Sequence, residues 1–404
     1  MLALPPDFPL ERANRTVLAS LIVIGMGFTV LFPILAPLGR ELGLNEIQIT
    51  SIIAASSITV FLGSPFWGRT SDRIGRKATI MIGLFGFSAG TVLFNSTLLA
   101  GLEGWLLGIP LFLALVLTRV MHAGVMSATM PAVNAYIADI SLPEERTRRM
   151  GAAGAANNLG SILGPGIATL AVLTLLTPLW VMAVLAFLNG LFILRFLPDA
   201  PRASSRKTPR MAYTDPRILP FVVVGVSMFT GIALVQQTMG FRFQDVLGLS
   251  AAATAQQFGL AMMLSAVASL CAQLLIVRRT NLRPFTLLTL AVPLLILAFT
   301  LMAAGNSQLV LTVAMMIQGF GMGLAGPGFM AGASLAVAPE EQGAVAGVAS
   351  SCGPLGFCLG PILGGPLYQL GPALPYATAA VAYVFLFIGM RRLSHRVREH
   401  LPTD

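Results

Sequence analysis

Twelve apolar runs of about 20 residues or more follow one another along the chain, separated by short polar breaks. They lie near 16–38, 48–67, 78–98, 106–138, 150–174, 178–197, 217–240, 250–277, 285–304, 308–337, 343–369 and 374–392. A bilayer core of about 30 Å is crossed by about 20 apolar residues in α-helical form. In hydrocarbon every backbone N–H and C=O must be paired within the protein, which leaves helices or a closed barrel. The runs are far too long for barrel strands of about ten alternating residues. The pattern therefore predicts an all-α integral membrane protein with twelve transmembrane helices.

Composition agrees. Of 404 residues, 56% are apolar and 10% charged, where soluble domains average about 45–50% and about 25%. The opening stretch MLALPPDFPLERANR is polar and Pro-rich, and the apolar run behind it is too long for a signal-peptide h-region, so it is expected to remain as the first span. Cys271, Cys352 and Cys358 lie in apolar runs without metal-site spacing; they read as small hydrophobes, and no metal is expected.

The net charge of +9 is unevenly placed. Connections that follow even-numbered spans hold Arg69, Arg73, Arg76 and Lys77, then Arg146, Arg148 and Arg149, then Arg202, Arg206, Lys207 and Arg210, then Arg278, Arg279 and Arg283. The termini add Arg12, Arg15, Arg391, Arg392, Arg396 and Arg398, while the opposite side offers Arg40 and Arg242. Basic residues mark the cytoplasmic side. Both termini are thus expected in the cytoplasm of a bacterial-type cell, with the chain in its inner membrane and its cations serving lipid rather than nucleic acid. GMGLAG at 321–326 fits a dinucleotide motif, but it lies within an apolar run with no strand before it. No Walker A, GxSxG or HExxH pattern occurs. No cofactor and no enzymatic activity are expected.

A long repeat divides the chain. Pro131, Pro143-Glu144-Glu145, Gly151, Gly160, Gly164 and Pro165 recur 196 positions later as Pro327, Pro339-Glu340-Glu341, Gly347, Gly356, Gly360 and Pro361. The offset implies two six-helix bundles, 1–197 and 216–404, joined by a cytoplasmic linker at 198–215. Parallel repeats about an axis along the membrane normal are a transporter architecture, with substrate bound between the halves near mid-membrane. Glycines spaced four apart in spans 5 and 11 make a smooth face for close helix packing, and each Gly-Pro permits a bend.

Three motifs carry a resemblance to a known family. GRTSDRIGRK at 68–77 resembles the loop 2–3 signature of the major facilitator superfamily at Gly68, Asp72, Arg73, Gly75, Arg76 and Lys77. Arg119, with Pro131 and Asp139 after it, resembles the span 4 pattern. Gly151, Gly160, Gly164 and Pro165 resemble the span 5 signature of its twelve-span drug/proton antiporters; the closing Gly-Gly is Ala168-Thr169 there but appears in span 11 as Gly364-Gly365. The resemblance implies a major facilitator fold and multidrug-type efflux by alternating access with proton coupling. It also implies a cytoplasmic latch at residues 68–77; a purely topogenic loop is the alternative, although topology needs no aspartate. Gly75 suits a tight reversal.

Ionisable residues within the spans are scarce. Arg119 and His122, three apart on span 4, share one face. Residues of this kind are costly in lipid and mark substrate or proton pathways by default. They and Asp72 are the candidates for transport and proton coupling. His122 stands where the family pattern has Gln, and either a titrating role or that of a neutral stand-in is open to it. Span 1 lacks the acid found in many such antiporters, since no carboxylate lies between Arg15 and Arg40. Thr29, Asn134, Asn157, Gln236, Gln237 and Gln318 are candidate polar points of a substrate cavity. The expected partners are a small amphipathic molecule, neutral or anionic, together with protons and the bilayer; a monomer is expected. A dedicated exporter of one metabolite, such as a siderophore or sugar, is the alternative. A polytopic enzyme or sensor would need a catalytic cluster, and none is evident.

Overall fold

A computed structural model describes residues 8–199, 211–280, 282–338 and 341–399, the side chains of 143–144, 146–147 and 392–399 excepted. The fold is all-helical, with no strand among the described residues. The helices are α1 (Leu10–Thr29), α2 (Phe32–Glu41), α3 (Glu46–Ile74), α4 (Arg76–Leu102), α5 (Gly108–Met126), α6 (Thr129–Asp139) and α7 (Pro143–Ile167). They continue as α8 (Thr177–Phe196), α9 (Leu219–Leu247), α10 (Ala251–Ala272), α11 (Pro284–Ala304), α12 (Gln308–Leu335), α13 (Gln342–Leu370) and α14 (Leu374–Glu399).

Two expected spans are each broken into two helices. Pro33 has no N–H for the Thr29 carbonyl, and α1 gives way to α2 at Val30–Leu31. Pro131 acts likewise on the Ser127 carbonyl, and α5 gives way to α6 at Ser127–Ala128. At that second break the freed Gly124 carbonyl accepts from the Ser127 hydroxyl (2.8 Å) and from the Trp67 indole (2.7 Å).

Eleven stretches among the described residues are long and apolar enough to cross a membrane, against the twelve expected. The exception is α7: its 25 residues rise about 38 Å, but its first two turns, PEERTRRM, are charged and its middle is Gly-, Ala- and Asn-rich. It continues into a 3₁₀ turn, Ala168–Val172, which ends the expected span. Large apolar side chains such as Leu62, Leu113, Leu173 and Phe385 are more than half exposed. An apolar exterior of that extent is a lipid-facing surface. The chain is a multi-pass membrane protein.

The chain divides into two compact units, Met1–Lys207 with Leu249–Leu260, and Thr208–Gly248 with Ala261–Asp404. In the first, α1 packs on α7, α4 on α5 and α8, and α3 on α5. Its core gathers Leu21, Ile80, Leu84, Val133, Tyr136 and Ile137, and the Tyr136 hydroxyl donates to the Pro198 carbonyl at 2.8 Å. The first turns of α10 belong to this unit, where Gly259 lies against the Pro165 carbonyl. In the second unit α9 packs on α13, and α11 on α12 and α14. Of the expected linker, residues 200–210 lie outside the described ones.

Candidate functional site

The charged stretch 68–77 is mostly helix rather than loop. α3 runs to Ile74 and α4 starts at Arg76, so the reversal is a single residue, Gly75, at φ +103° and ψ 151°. A side chain would be strained at that φ. With both helices running to within one residue of the turn, Arg76 reaches back and across. It pairs with Asp72 at 2.6 Å and with Asp139 at the end of α6 at 2.8 Å, and it donates to the Ser71 hydroxyl at 2.6 Å. Asp139 and Arg76 are largely buried, whereas Asp72 is about half exposed. A Cβ at Gly68 would meet nothing within 4 Å, its carbonyl accepts from the Ser71 hydroxyl at 2.8 Å, and Arg73 and Lys77 form no ion pair among the described residues.

The pair on α5 is in direct contact. Arg119 Nη1 lies 2.6 Å from His122 Nδ1. A guanidinium only donates, so Nδ1 accepts, and neutral His122 carries its hydrogen on Nε2. His122 is buried, and its Nε2 and Arg119 Nε have no partner among the described residues. No carboxylate pairs with Arg119 among those residues either. The opposing wall is α4: Phe94 lies under the guanidinium (5.5 Å to the ring centroid), and Phe87 meets the imidazole edge-on at 4.9 Å. Between them Gly90 leaves the room His122 fills, since a Cβ there would sit 2.7 Å from His122 Cβ. Gly83 and Gly86 admit Thr129 and Val125 in the same way. The segment GLFGFSAG at 83–90 is thus the groove that seats α5 and α6. Its glycines at i, i+3 and i+7 are a small-residue face that the sequence reading passed over.

The signature glycines divide into two sets. A Cβ at Gly160 would strike the Ile22 carbonyl, and one at Gly164 the Thr29 hydroxyl, so α7 lies against α1 backbone to backbone. Gly356 and Gly360 hold α13 against α9 at Phe229–Thr230 and Ala233–Leu234, and Gly364 faces Thr238. Gly365 is buried in α13. Gly151 and Gly347 are exposed with nothing within 4 Å, so they take no part in either seam. Pro165 and Pro361 lie buried inside their helices.

Membership can be read from sequence matches as well. The Major Facilitator Superfamily matches residues 17–361 and 286–403. The chain belongs to that superfamily. It is a membrane transporter, not an enzyme. Multidrug resistance protein 1 of Bacillus subtilis (strain 168) is 26% identical over 387 residues, 92% of this chain and 94% of that one. The quinolone resistance protein NorA of Staphylococcus aureus is 32% identical over 148 residues, 37% of this chain and 35% of its own. Among solved structures, a mutant of the nucleoside transporter NupG is similar with a TM-score of 0.73 at 13% identity, covering 94% of this chain and 99% of that one. The human organic anion transporter MFSD10 (TETRAN) is similar with a TM-score of 0.66 at 21% identity, over 95% and 99% of the two chains. These likenesses show the fold.

Elsewhere in this facilitator the candidate polar residues are dispersed. Pro165 leaves the Ser161 carbonyl without its helix donor, and the Thr29 hydroxyl stands 3.2 Å from it, on the α1–α7 seam. Asn157, also on that seam, has a buried Oδ1 without a partner among the described residues; Asn134 on α6 is exposed. In the second unit Gln236 Oε1, Gln237 Nε2 and Gln318 Nε2 are buried and unpartnered among the described residues. None of these six is hydrogen-bonded to Arg119 or His122.

Arg242 is a further buried cation, which the sequence reading placed in a connection. It is 9% exposed within α9 and donates to the Ala303 and Gly305 carbonyls at 3.0 and 3.1 Å. The carboxyl end of α11, with its partial negative charge, balances it. Two acids near helix ends are engaged too: Glu46 pairs with Arg40 at 2.7 Å and Asp245 accepts from the Tyr368 hydroxyl at 2.6 Å.

Proposed function

We propose that this transporter exports amphipathic small molecules, neutral or anionic, from the cytoplasm in exchange for protons. It works by alternating access between bundles 1–197 and 216–404, as a monomer in a bacterial inner membrane with both termini cytoplasmic. The observation that carries the reading is the Arg119–His122 pair: a buried cation without an acid partner among the described residues, held by a histidine, a residue type suited to taking up and releasing protons. Named multidrug relatives that span nine-tenths of the chain support export.

The geometry of the pair supports exchange. Nδ1 of neutral His122 accepts from Arg119 and fixes the guanidinium against Phe94. A proton arriving at Nδ1 removes the acceptor and sets a second positive charge 2.6 Å from the first. The two arrangements exclude each other. A substrate that needs the guanidinium in its His-held position therefore competes with the proton, which is what antiport requires. Asp72, Arg76 and Asp139 form the latch that stabilises one access state, and the glycine seams keep α1–α7 and α9–α13 close enough to move as paired helices.

Proteoliposomes with an imposed pH gradient, loaded with a fluorescent naphthalenesulfonate, test the reading. Export accelerated by an inward proton gradient and abolished by its collapse is expected. Transport indifferent to the gradient overturns proton coupling, and no movement of this anion or of a neutral amphipathic dye overturns multidrug-type export.

A further inference from the structure

We propose that the groove between the start of α1 and the end of α8 is a binding site for the phosphate of an anionic phospholipid. The groove measures about 680 Å³ and is lined by Pro9, Arg12, Arg15, Ala19, Phe192 and Phe196 among others. Its charge is built rather than scattered. Arg12 Nη2 donates to the Arg195 carbonyl at 3.2 Å, which anchors it on the last turn of α8. Its guanidinium lies over the Phe196 ring at 5.4 Å, and that of Arg195 lies over the same ring at 5.5 Å. Arg15 lines the groove one turn further along α1. Against the two guanidinia that line it, with Arg195 beside Phe196, the groove offers one carboxylate, Glu11, which meets Arg15 at 3.4 Å with both side chains largely exposed. An exposed pair of that kind neutralises little. Neither Arg12 nor Arg195 has an acid partner among the described residues.

Two guanidinia drawn to one ring concentrate positive charge there, and an anion bound beside them offsets their repulsion. Arginine's planar fork suits phosphate oxygens in pairs. Phe192 and Ala19 extend the groove along the helices as an apolar wall, in the direction an acyl chain would take. The site lies at the ends of two spans, the depth of a headgroup. Basic pockets between transmembrane helices take anionic headgroups in this way. A charge serving topology alone would need neither the shared ring nor the carbonyl anchor.

The test is lipid retention by native mass spectrometry of the full chain in detergent, titrated with phosphatidylglycerol, phosphatidylcholine or inorganic phosphate. One phosphatidylglycerol is expected to be held in preference to phosphatidylcholine, and millimolar phosphate should not displace it. Arg12→Gln with Arg195→Gln should weaken phosphatidylglycerol about 30-fold, from about 1 kcal/mol per basic residue at 1.4 kcal/mol per decade, and leave phosphatidylcholine unchanged. Phe196→Leu keeps every charge, and should weaken the same lipid severalfold by unstacking the arginines; it carries the test if the double variant does not fold. Undiminished phosphatidylglycerol retention in the variants that fold overturns the site. Displacement by phosphate overturns the lipid and leaves a free-anion site.

Discussion

Gly160→Ala adds one methyl at the closest approach of two helices, and the structure states what it meets. The new Cβ would overlap the Ile22 carbonyl oxygen and lie 3.0 Å from Gly25 Cα. Carbon contacts are comfortable at about 3.5–4.0 Å. Neither obstacle is a flexible side-chain tip; both are backbone held in the hydrogen-bond ladder of α1. Relief requires α1 and α7 to separate, which also loosens Gly25 against Asn157 and Gly164 against Met26. Overpacking of this kind costs about 1–3 kcal/mol. Alanine returns up to about 1 kcal/mol of helix propensity, so a net loss of about 1–2 kcal/mol is expected. Gly151→Ala, one heptad and two residues earlier on the same helix, is the control: the position is exposed with nothing within 4 Å. It should gain the propensity and lose nothing. The two variants differ by about 2 kcal/mol or more, which is about 2 °C or more in midpoint for a chain of 404 residues. Thermal unfolding of detergent-purified protein by tryptophan fluorescence measures it. Gly160→Ala as stable as Gly151→Ala would refute the backbone-to-backbone seam.

In the proposed latch, Asp139→Asn should destabilise more than Asp72→Asn: Asp139 is 10% exposed and Asp72 47%, which sets about 3 kcal/mol against under about 1. Both should slow export without preventing membrane insertion, and equal melting temperatures would reject the ranking. His122→Gln restores an oxygen acceptor for Arg119 but cannot take a proton; substrate binding should persist while the pH dependence of transport flattens, and an unchanged pH profile removes His122 from coupling. Outside the spans, Arg217 grips Glu341 at 2.7 and 3.0 Å and Asp215 at 2.8 Å. Hydrogen bonds from Arg217 hold both carboxyls below their ordinary range. Their contribution is complete where the unfolded acids are ionised, above about pH 4.5, and is lost as pH falls through the depressed folded values. Arg217→Gln should therefore make melting temperature fall less steeply with acidification below that point; curves of equal slope would exclude the grip as a source of acid sensitivity.

The all-helical membrane fold, the order of its apolar runs and the repeat were legible because lipid imposes one solution on long apolar runs, and because Gly160 and Gly356 need glycine whatever else changes. Three features were not legible. The breaks at Val30–Leu31 and Ser127–Ala128 follow from prolines that the apolar pattern masks. Gly83, Gly86 and Gly90 are spaced three and four apart, a weaker pattern than the fours of spans 5 and 11. The third is depth. Hydropathy puts Arg242 near a span end, and only the fold shows that the end of α11 is there to receive it. Thr29 reads as a polar point in an apolar helix, and nothing local to it reveals the carbonyl that Pro165 sets free across the seam.

The repeat reproduces packing more faithfully than chemistry. At the 196-residue offset, Gly160 and Gly356, Gly164 and Gly360, and Pro165 and Pro361 are identical. The same offset sets Arg119 against Met315 and His122 against Gln318. A helix seam tolerates no Cβ, so both copies keep it; a charge in the membrane is costly, so one copy is enough. The Gln318 counterpart is a side chain that hydrogen-bonds without titrating, and its Nε2 is buried and unpartnered among the described residues, as His122 Nε2 is. The charged copy lies in the first unit, which also contains the Asp72–Arg76–Asp139 network; the corresponding turn of the second unit, RRTNLRP, has neither the aspartate nor the glycine. Asp139 closes the helix pair that holds Arg119, so α5–α6 carries the buried cation at one level and the network's acid at another. The proposed proton handling and the proposed latch would therefore act on one helical arm. His122→Gln and Asp139→Asn should consequently be non-additive in transport rate beyond the few tenths of a kcal/mol that separate sites allow. Strictly additive barriers in the double variant would separate the two functions and return α5–α6 to the role of scaffold.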